Sequence, residues 1–265
     1  MIPIAAGQSS QLLKQRHAVV TGGARGIGLA ITRLLLAHGA RVTMVGRNLE
    51  ALQQSVQSLQ ALGEVQSASA DVGDSAAVSR AFSDARAGFG PAHILVNNAG
   101  QAGSASFLKT DAKLWRRMMS VNLDGTFYCT QAALPDLLAA GWGRVVNVAS
   151  VAGLRGAGYI SAYCASKHAV IGLTRALAAE VAAKGITVNA VCPGYTETDM
   201  VEQAVANIVA KTGRTPQDAR LELAAHNPQQ RLVQPEEVAN AVLWLCLPGS
   251  EAITGQAIVV AGGEL

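Results

Sequence analysis

Short apolar runs rich in β-branched residues recur along this chain, each followed by a longer stretch whose apolar positions have helical spacing. The runs at 17–21, 41–46, 64–70, 92–97, 143–149, 186–192 and 256–261 predict seven strands. Two of them, VVNVAS and ITVNAVC, are almost continuously apolar, as strands covered on both faces must be. Regular alternation of strand and helix predicts an α/β domain with a parallel sheet between two helical layers. No repeat, linker or change of composition divides it, so 17–265 is expected to form one domain behind a short leader, 1–16. That leader lacks the charged start and apolar centre of a secretory signal.

One connection breaks the rhythm. Residues 194–234 join the sixth strand to the helix near Pro235, far beyond the usual two to six residues or so. Helical pieces fit at about 199–212 and 216–226, separated by Thr212-Gly213-Arg214-Thr215-Pro216.

The first strand runs straight into Thr21-Gly22-Gly23-Ala24-Arg25-Gly26-Ile27-Gly28 and then a helical pattern. A strand, a glycine turn and a helix N-terminus make a phosphate cradle, because glycine lets the backbone approach and free N–H groups face the anion. The spacing is T-G-x-x-x-G-x-G rather than G-x-G-x-x-G. The second strand ends in Gly46-Arg47-Asn48, where a dinucleotide fold meets the adenosine ribose. An acid there binds a 2′-hydroxyl, whereas an arginine accommodates a 2′-phosphate. With Arg47 present, no acid, and Arg25 in the glycine turn, the pattern points to NADP(H) over NAD(H).

Tyr163 and Lys167 stand four apart at the start of a long helical run, 162–184, with Ser150 at the end of the fifth strand. Residues four apart share a helical face. A phenol ionises near pH ~10, and an adjacent cation is expected to bring it towards working pH. The serine can hydrogen-bond the same substrate oxygen. Together they are equipped to move a proton on or off a carbonyl or alcohol oxygen.

With these elements placed, the chain resembles the short-chain dehydrogenase/reductase family, in its single-domain branch, from about His17 to the end. The resemblance rests on TGGARGIG (21–28), DV (71–72), NNAG (97–100), Ser150 with Tyr163-x-x-x-Lys167, and PGYTET (193–198), all in order. It implies a doubly wound Rossmann-type three-layer sandwich with a seven-stranded parallel sheet, and a substrate lid at 194–234. It also implies catalysis by Asn122, Ser150, Tyr163 and Lys167, the main chain of Asn122 holding a water that leads to the lysine. The dinucleotide would be held by Gly22, Arg25, Gly26, Ile27, Gly28 and Arg47, with Asp71 on the adenine amino group and Val72 near the ring. Asn97, Asn98, Ala99 and Gly100 would shape the sheet edge beside it. Tyr163, Lys167, Pro193, Gly194, Thr196 and Thr198 would line the nicotinamide end, with Thr198 contacting the carboxamide.

The stretches ITVNAVCPGYTETDM and RLVQPEEVANAVLWLC look most like 3-oxoacyl thioester reductases, including polyketide ketoreductases, which act on acyl-carrier-protein or coenzyme A thioesters. A dehydrogenase of cyclic or aromatic secondary alcohols, possibly NAD-linked, stands as the alternative, and a catalytically silent dinucleotide-binding protein as a remoter one. In the lid, Lys211, Arg214 and Arg220 suit either a carrier's phosphates or a solvated helix face.

Composition narrows the rest. Net charge is +3 without a basic run, so neither a nucleic-acid nor a membrane-surface partner is indicated. No run of 18 apolar residues predicts a membrane span. Cys129, Cys164, Cys192 and Cys246 are scattered, and the five histidines form no metal-ligand spacing, so a reduced cytoplasmic compartment and no metal are expected. Only 15% of residues are charged, against roughly 25% on average, which suggests hidden surface. The Ala- and Leu-rich faces of 112–138 and 162–184, and the apolar ending QAIVVAGGEL, are by resemblance the two contact surfaces of a homotetramer.

Overall fold

The computed structural model describes residues 11–265. Seven parallel strands, β1 (His17–Thr21), β2 (Arg41–Gly46), β3 (Val65–Ser69), β4 (Ile94–Asn97), β5 (Gly143–Val148), β6 (Ile186–Pro193) and β7 (Ala257–Val260), form one sheet in the order β3-β2-β1-β4-β5-β6-β7. Building proceeds outward from β1 to β3, then returns to place β4 on the other side of β1. That reversal opens a crevice beyond the carboxyl ends of β1 and β4, where ligands of such sheets bind.

Strand alternation builds the layers. In β1, Val20 joins the apolar cluster of Ile31, Leu35, Met44 and Val242, while its neighbour Val19 joins Phe82, Leu95, Cys129 and Leu137 on the other face. The first cluster is covered by α1 (Gly26–Ala37), α2 (Leu49–Leu59) and α9 (Pro235–Cys246). The second is covered by α3 (Ser75–Phe89), α5 (Gly125–Ala140) and α6 (Ser161–Val181).

Helix starts follow local chemistry. Asp74 caps α3 by accepting from the N–H groups of Ala76 and Ala77 at 2.9 and 3.1 Å. Asp111 caps α4 (Ala112–Met119) through the N–H of Leu114 at 2.7 Å. A single π-helical turn, Ser120–Asp124, joins α4 to α5, so the expected continuous helix is broken where Asn122 stands. α6 runs on through a 3₁₀ turn to Gly185, whose φ of +73° ends it.

The division at residue 16 is not a packing boundary. Leu13, placed in the leader from the sequence, is fully buried in the cluster containing Leu35 and Leu36, and its N–H donates to His38 O at 2.9 Å. The Arg16 guanidinium lies 4.0 Å over the Trp142 ring. Residues 1–10 of the leader fall outside the described residues.

In the long connection, α7 (Asp199–Thr212) and α8 (Pro216–Ala224) share their own apolar cluster, built on Val201, Val205, Ala219 and Leu223. A parallel bridge between Thr196 and Val233 closes its root. Among the described residues no helix is long and apolar enough to cross a membrane, and no group of three or more side chains could hold a metal.

Candidate active site at the carboxyl edge of the sheet

The glycine turn is held by sterics and by one asparagine. Gly22 and Gly26 have φ of +64° and +50°, in the region that favours glycine. A Cβ at Gly28 would lie 2.1 Å from Gly22 O and 2.5 Å from Asn98 Nδ2, so no larger residue fits. Asn98 Nδ2 donates to Thr21 O and Gly22 O at 3.0 and 3.2 Å, and Thr21 Oγ1 accepts from the N–H groups of Asn98 and Ala99, both at 3.0 Å. The turns after β1 and β4 are thereby locked together. Arg25 occupies the N-cap of α1 but provides no side-chain acceptor, and the first turn carries no acid. The positive end of that helix therefore keeps its N–H groups for an outside anion. Ile27 packs part-buried against the core beneath.

At the other end of the crevice, Arg47 faces Asp71 at 3.8 Å, both half-exposed. They line a cleft of about 420 Å³ with Gly73, Asp74, Gln101, Arg117, Ser120 and Val121. Arg117 and Gln101 went unremarked in the sequence, although Gln101 follows NNAG directly and Arg117 lies five residues before Asn122. Asn48, beside Arg47, caps α2 through the N–H of Ala51 at 3.0 Å. Val72 is buried against Gly125, where a Cβ would come within 2.7 Å of Val72 Cγ2.

Between these ends, β4, β5, the π turn and α6 bring four side chains together. Lys167, only 5% exposed, donates from Nζ to Val148 O at 2.9 Å, and Nζ lies 5.9 Å from the centroid of the Tyr163 ring. Asn122 Oδ1 accepts from Gln101 N–H at 2.8 Å, while its Nδ2 donates to Gln101 O and Ser166 Oγ, both at 3.0 Å. Its carbonyl accepts from Thr126 Oγ1 at 2.8 Å. The π turn thus ties the loop after β4 to the helix that carries Tyr163. A Cβ at Gly100 would sit 3.3 Å from Asn122 Oδ1 and 3.5 Å from Lys167 Nζ, so glycine leaves room where these two groups meet. Ser150 ends β5's extension and accepts from Ala152 N–H at 3.1 Å. Asn97, by contrast, is buried and bonded to Thr130 and Asn147 at 3.0 and 2.9 Å.

The electrostatics differ from the sequence expectation. Burial raises the Tyr163 phenol above its ordinary value, and the interaction with the Ser150 hydroxyl pulls the other way. Burial also brings Lys167 down to about 8. The ammonium is directed at Val148 O. A phenol held protonated is suited to donating its proton.

Past β6, Thr196 Oγ1 donates to Gly194 O at 3.0 Å and Thr198 Oγ1 to Thr196 O at 3.1 Å. Gly194 N–H donates to Val260 O at 3.1 Å, fixing the turn after Pro193 to β7. Thr198 is the N-cap residue of α7, and its Cγ2 is 3.0 Å from where a Cβ on Gly26 would stand. The long connection therefore starts against the glycine turn. Two of the cations in this connection have partners: Arg220 pairs with Glu197 and Glu202, and Arg214 with Glu222.

The family model described as short chain dehydrogenase matches residues 16–208. The chain is 38% identical over 249 residues to a putative ketoacyl reductase of Streptomyces coelicolor, covering 93% of this chain and 95% of that one. It is 40% identical over 256 residues to 2-(S)-hydroxypropyl-CoM dehydrogenase 3 of Xanthobacter autotrophicus, covering 96% and 98%. A variant of actinorhodin polyketide ketoreductase, solved with NADPH, matches with a TM-score of 0.91 at 37% identity over 98% of this chain and 99% of that one. Since the fold and nearly the whole length agree with these proteins, the chain is an oxidoreductase belonging to the short-chain dehydrogenase family.

Proposed function

We propose that this enzyme reduces a ketone to a secondary alcohol with NADP(H), and that its substrate is a 3-oxoacyl thioester carried by an acyl carrier protein or coenzyme A. The observation that carries the reading is the meeting of Ser150, Tyr163 and Lys167 at one point of the sheet edge, next to a cradle that fits a pyrophosphate. The fit rests on Gly28, which only glycine can occupy, and on the unneutralised N-terminus of α1. Gly22, Gly26, Ile27 and Gly28 would hold the pyrophosphate; Arg47, Asp71 and Val72 the adenosine; and Asn98, Ala99, Gly100, Pro193, Gly194, Thr196 and Thr198 the remainder. The bound dinucleotide supplies the hydride that reaches the carbonyl carbon.

The protein's part is to bind the oxygen and deliver a proton. Ser150 donates a hydrogen bond to the carbonyl oxygen, strongest as charge develops there. Tyr163, kept protonated by burial, gives up its phenolic proton to that oxygen. Lys167, cationic below about pH 8, restrains the phenolate so formed. Asn122 fixes the loop after β4 to α6 and so holds the proton donor in place. Cofactor choice is supported by Arg47 at the end of β2, by the absence of an acid there, and by NADPH in the solved relative. The thioester is supported by the ketoacyl reductase relative.

Initial rates with acetoacetyl-CoA, comparing NADPH with NADH, test both parts. Turnover with NADPH alone is expected. Preference for NADH would overturn the cofactor reading, and no turnover with either would redirect the substrate to cyclic and aromatic ketones. The half-exposed Trp115, Phe127 and Leu138 on one side, and Trp244, Val259 and Leu265 on another, support a homotetramer. Sedimentation should then give four times the 27.3 kDa chain mass.

A further inference from the structure

Arg25 does not point along the crevice towards Arg47's cleft. Its Nη1 lies 3.2 Å from Asp199 Oδ2, the first residue of lid helix α7, and the two side chains are 78% and 75% exposed. We propose that Asp199 is a specificity-determining counter-charge: it competes with the cofactor's 2′-phosphate for Arg25 and so couples the lid to the phosphate. This rests on the NADP(H) reading above.

Three observations carry it. The pair bridges two segments 174 residues apart whose neighbouring residues, Thr198 and Gly26, also approach closely, which keeps the backbones of Arg25 and Asp199 near each other. Both groups are open to solvent, so the pair can exchange with an incoming anion. And a phosphate dianion offers more charge and more acceptors than the carboxylate it displaces. Arg47's partner Asp71 lies inside the cleft, whereas Asp199 comes from the lid, so only the Arg25 exchange reports to the lid. Loss of the Arg25 contact also removes a tie at the start of α7.

The test is a double-mutant cycle of wild type, Arg25→Gln, Asp199→Asn and the double variant, titrated with 2′,5′-ADP and 5′-ADP. Asp199→Asn should tighten 2′,5′-ADP about two- to fivefold, the range of an exposed ion pair, leave 5′-ADP unchanged, and have no effect once Arg25 is glutamine. Tightening that persists in the Arg25→Gln background would mean bulk charge alone and overturn the inference, as would no tightening at all. Hydrogen exchange in the first turn of α7 should rise with 2′,5′-ADP but not with 5′-ADP; an equal response overturns the coupling to the lid. A wild type that binds the two nucleotides equally would remove the NADP(H) reading itself, a result separate from either failure.

Discussion

At the amino end of the sheet His17 is fully buried, and at the carboxyl end Lys167 is nearly so; both are pushed below their ordinary ionisation by burial. Their surroundings differ. Both ring nitrogens of His17 are bonded, Nδ1 to Gly90 O and Nε2 to Thr43 Oγ1, each at 2.8 Å. Thr43 Oγ1 in turn accepts from Gln66 Nε2 at 2.9 Å. Nearby Arg144, also fully buried, pairs with Glu251 at 2.9 Å and stacks 4.3 Å from the Trp142 ring. Lys167 uses one donor on Val148 O and keeps two N–H donors beside the crevice. Buried polarity alone therefore does not mark a site. What separates the two ends is hydrogen-bonding capacity left facing a cleft.

The comparison breaks first at Tyr163. Tyr163→Phe should lower turnover by about 10²- to 10⁴-fold, the usual contribution of a positioned proton donor. Dinucleotide affinity, read by fluorescence titration, should hold within about twofold, because the glycine turn proposed to hold the pyrophosphate is built from other residues. Near-normal turnover would remove Tyr163 from proton transfer.

Lys167→Met sharpens it further, because activity and stability should move in opposite directions. With a folded value of about 8 against 10.5 unfolded, the unfolded chain binds more protons between those limits. At neutral pH the full penalty, about 3 kcal/mol, is in force, and it fades only as pH rises from 8 towards 10.5. Removing the ammonium should abolish turnover and raise the urea midpoint at pH 7. A fall in the midpoint would mean that the bond to Val148 O outweighs desolvation.

Much of this arrangement is legible in the residues. Strand positions follow from apolar runs, and the seven predicted strands differ from the observed ones by at most two residues at either end. Ser150, Tyr163 and Lys167 lie together at the carboxyl edge of the sheet. Three features were not legible because each depends on a contact distant in sequence. Leu13 belongs to the core because it packs with Leu35 and Leu36 near the end of α1. The phenol is raised rather than lowered because the fold buries it, and only the Ser150 hydroxyl, thirteen residues away along the chain, is bonded against that rise. Arg117 reaches the cleft beside Arg47 and Asp71 because α4 passes beside it.

A smaller effect should come from His17. Its folded value of about 4 lies below the 6.5 of an ordinary imidazole, so the unfolded chain binds more protons between pH 6.5 and 4. Stability is present in full above pH 6.5 and should decline by about 3 kcal/mol as pH falls to 4. Chemical denaturation across that range, with His17→Gln as control, measures it; an equally steep decline in the variant would assign the loss to other groups.

The smallest expected change is also the closest test of the contrast. Thr43 stands at the centre of the amino-end network, accepting from Gln66 and donating to His17. Thr43→Val keeps the shape and removes the hydroxyl, leaving His17 Nε2 without a donor, while Gln66 retains Ala85 O at 3.1 Å. One buried acceptor left unpaired costs about 1–3 kcal/mol. Because Gln66 is still bonded, the loss should fall in the lower half of that range. Turnover per folded molecule should be unchanged, since no side chain of this network reaches the crevice. Equilibrium denaturation and steady-state rates on the same preparation decide it. Stability falling with turnover intact keeps the two ends of the sheet independent; turnover falling in proportion would show that the amino-end network holds the strands, and through them the proton donor, in register.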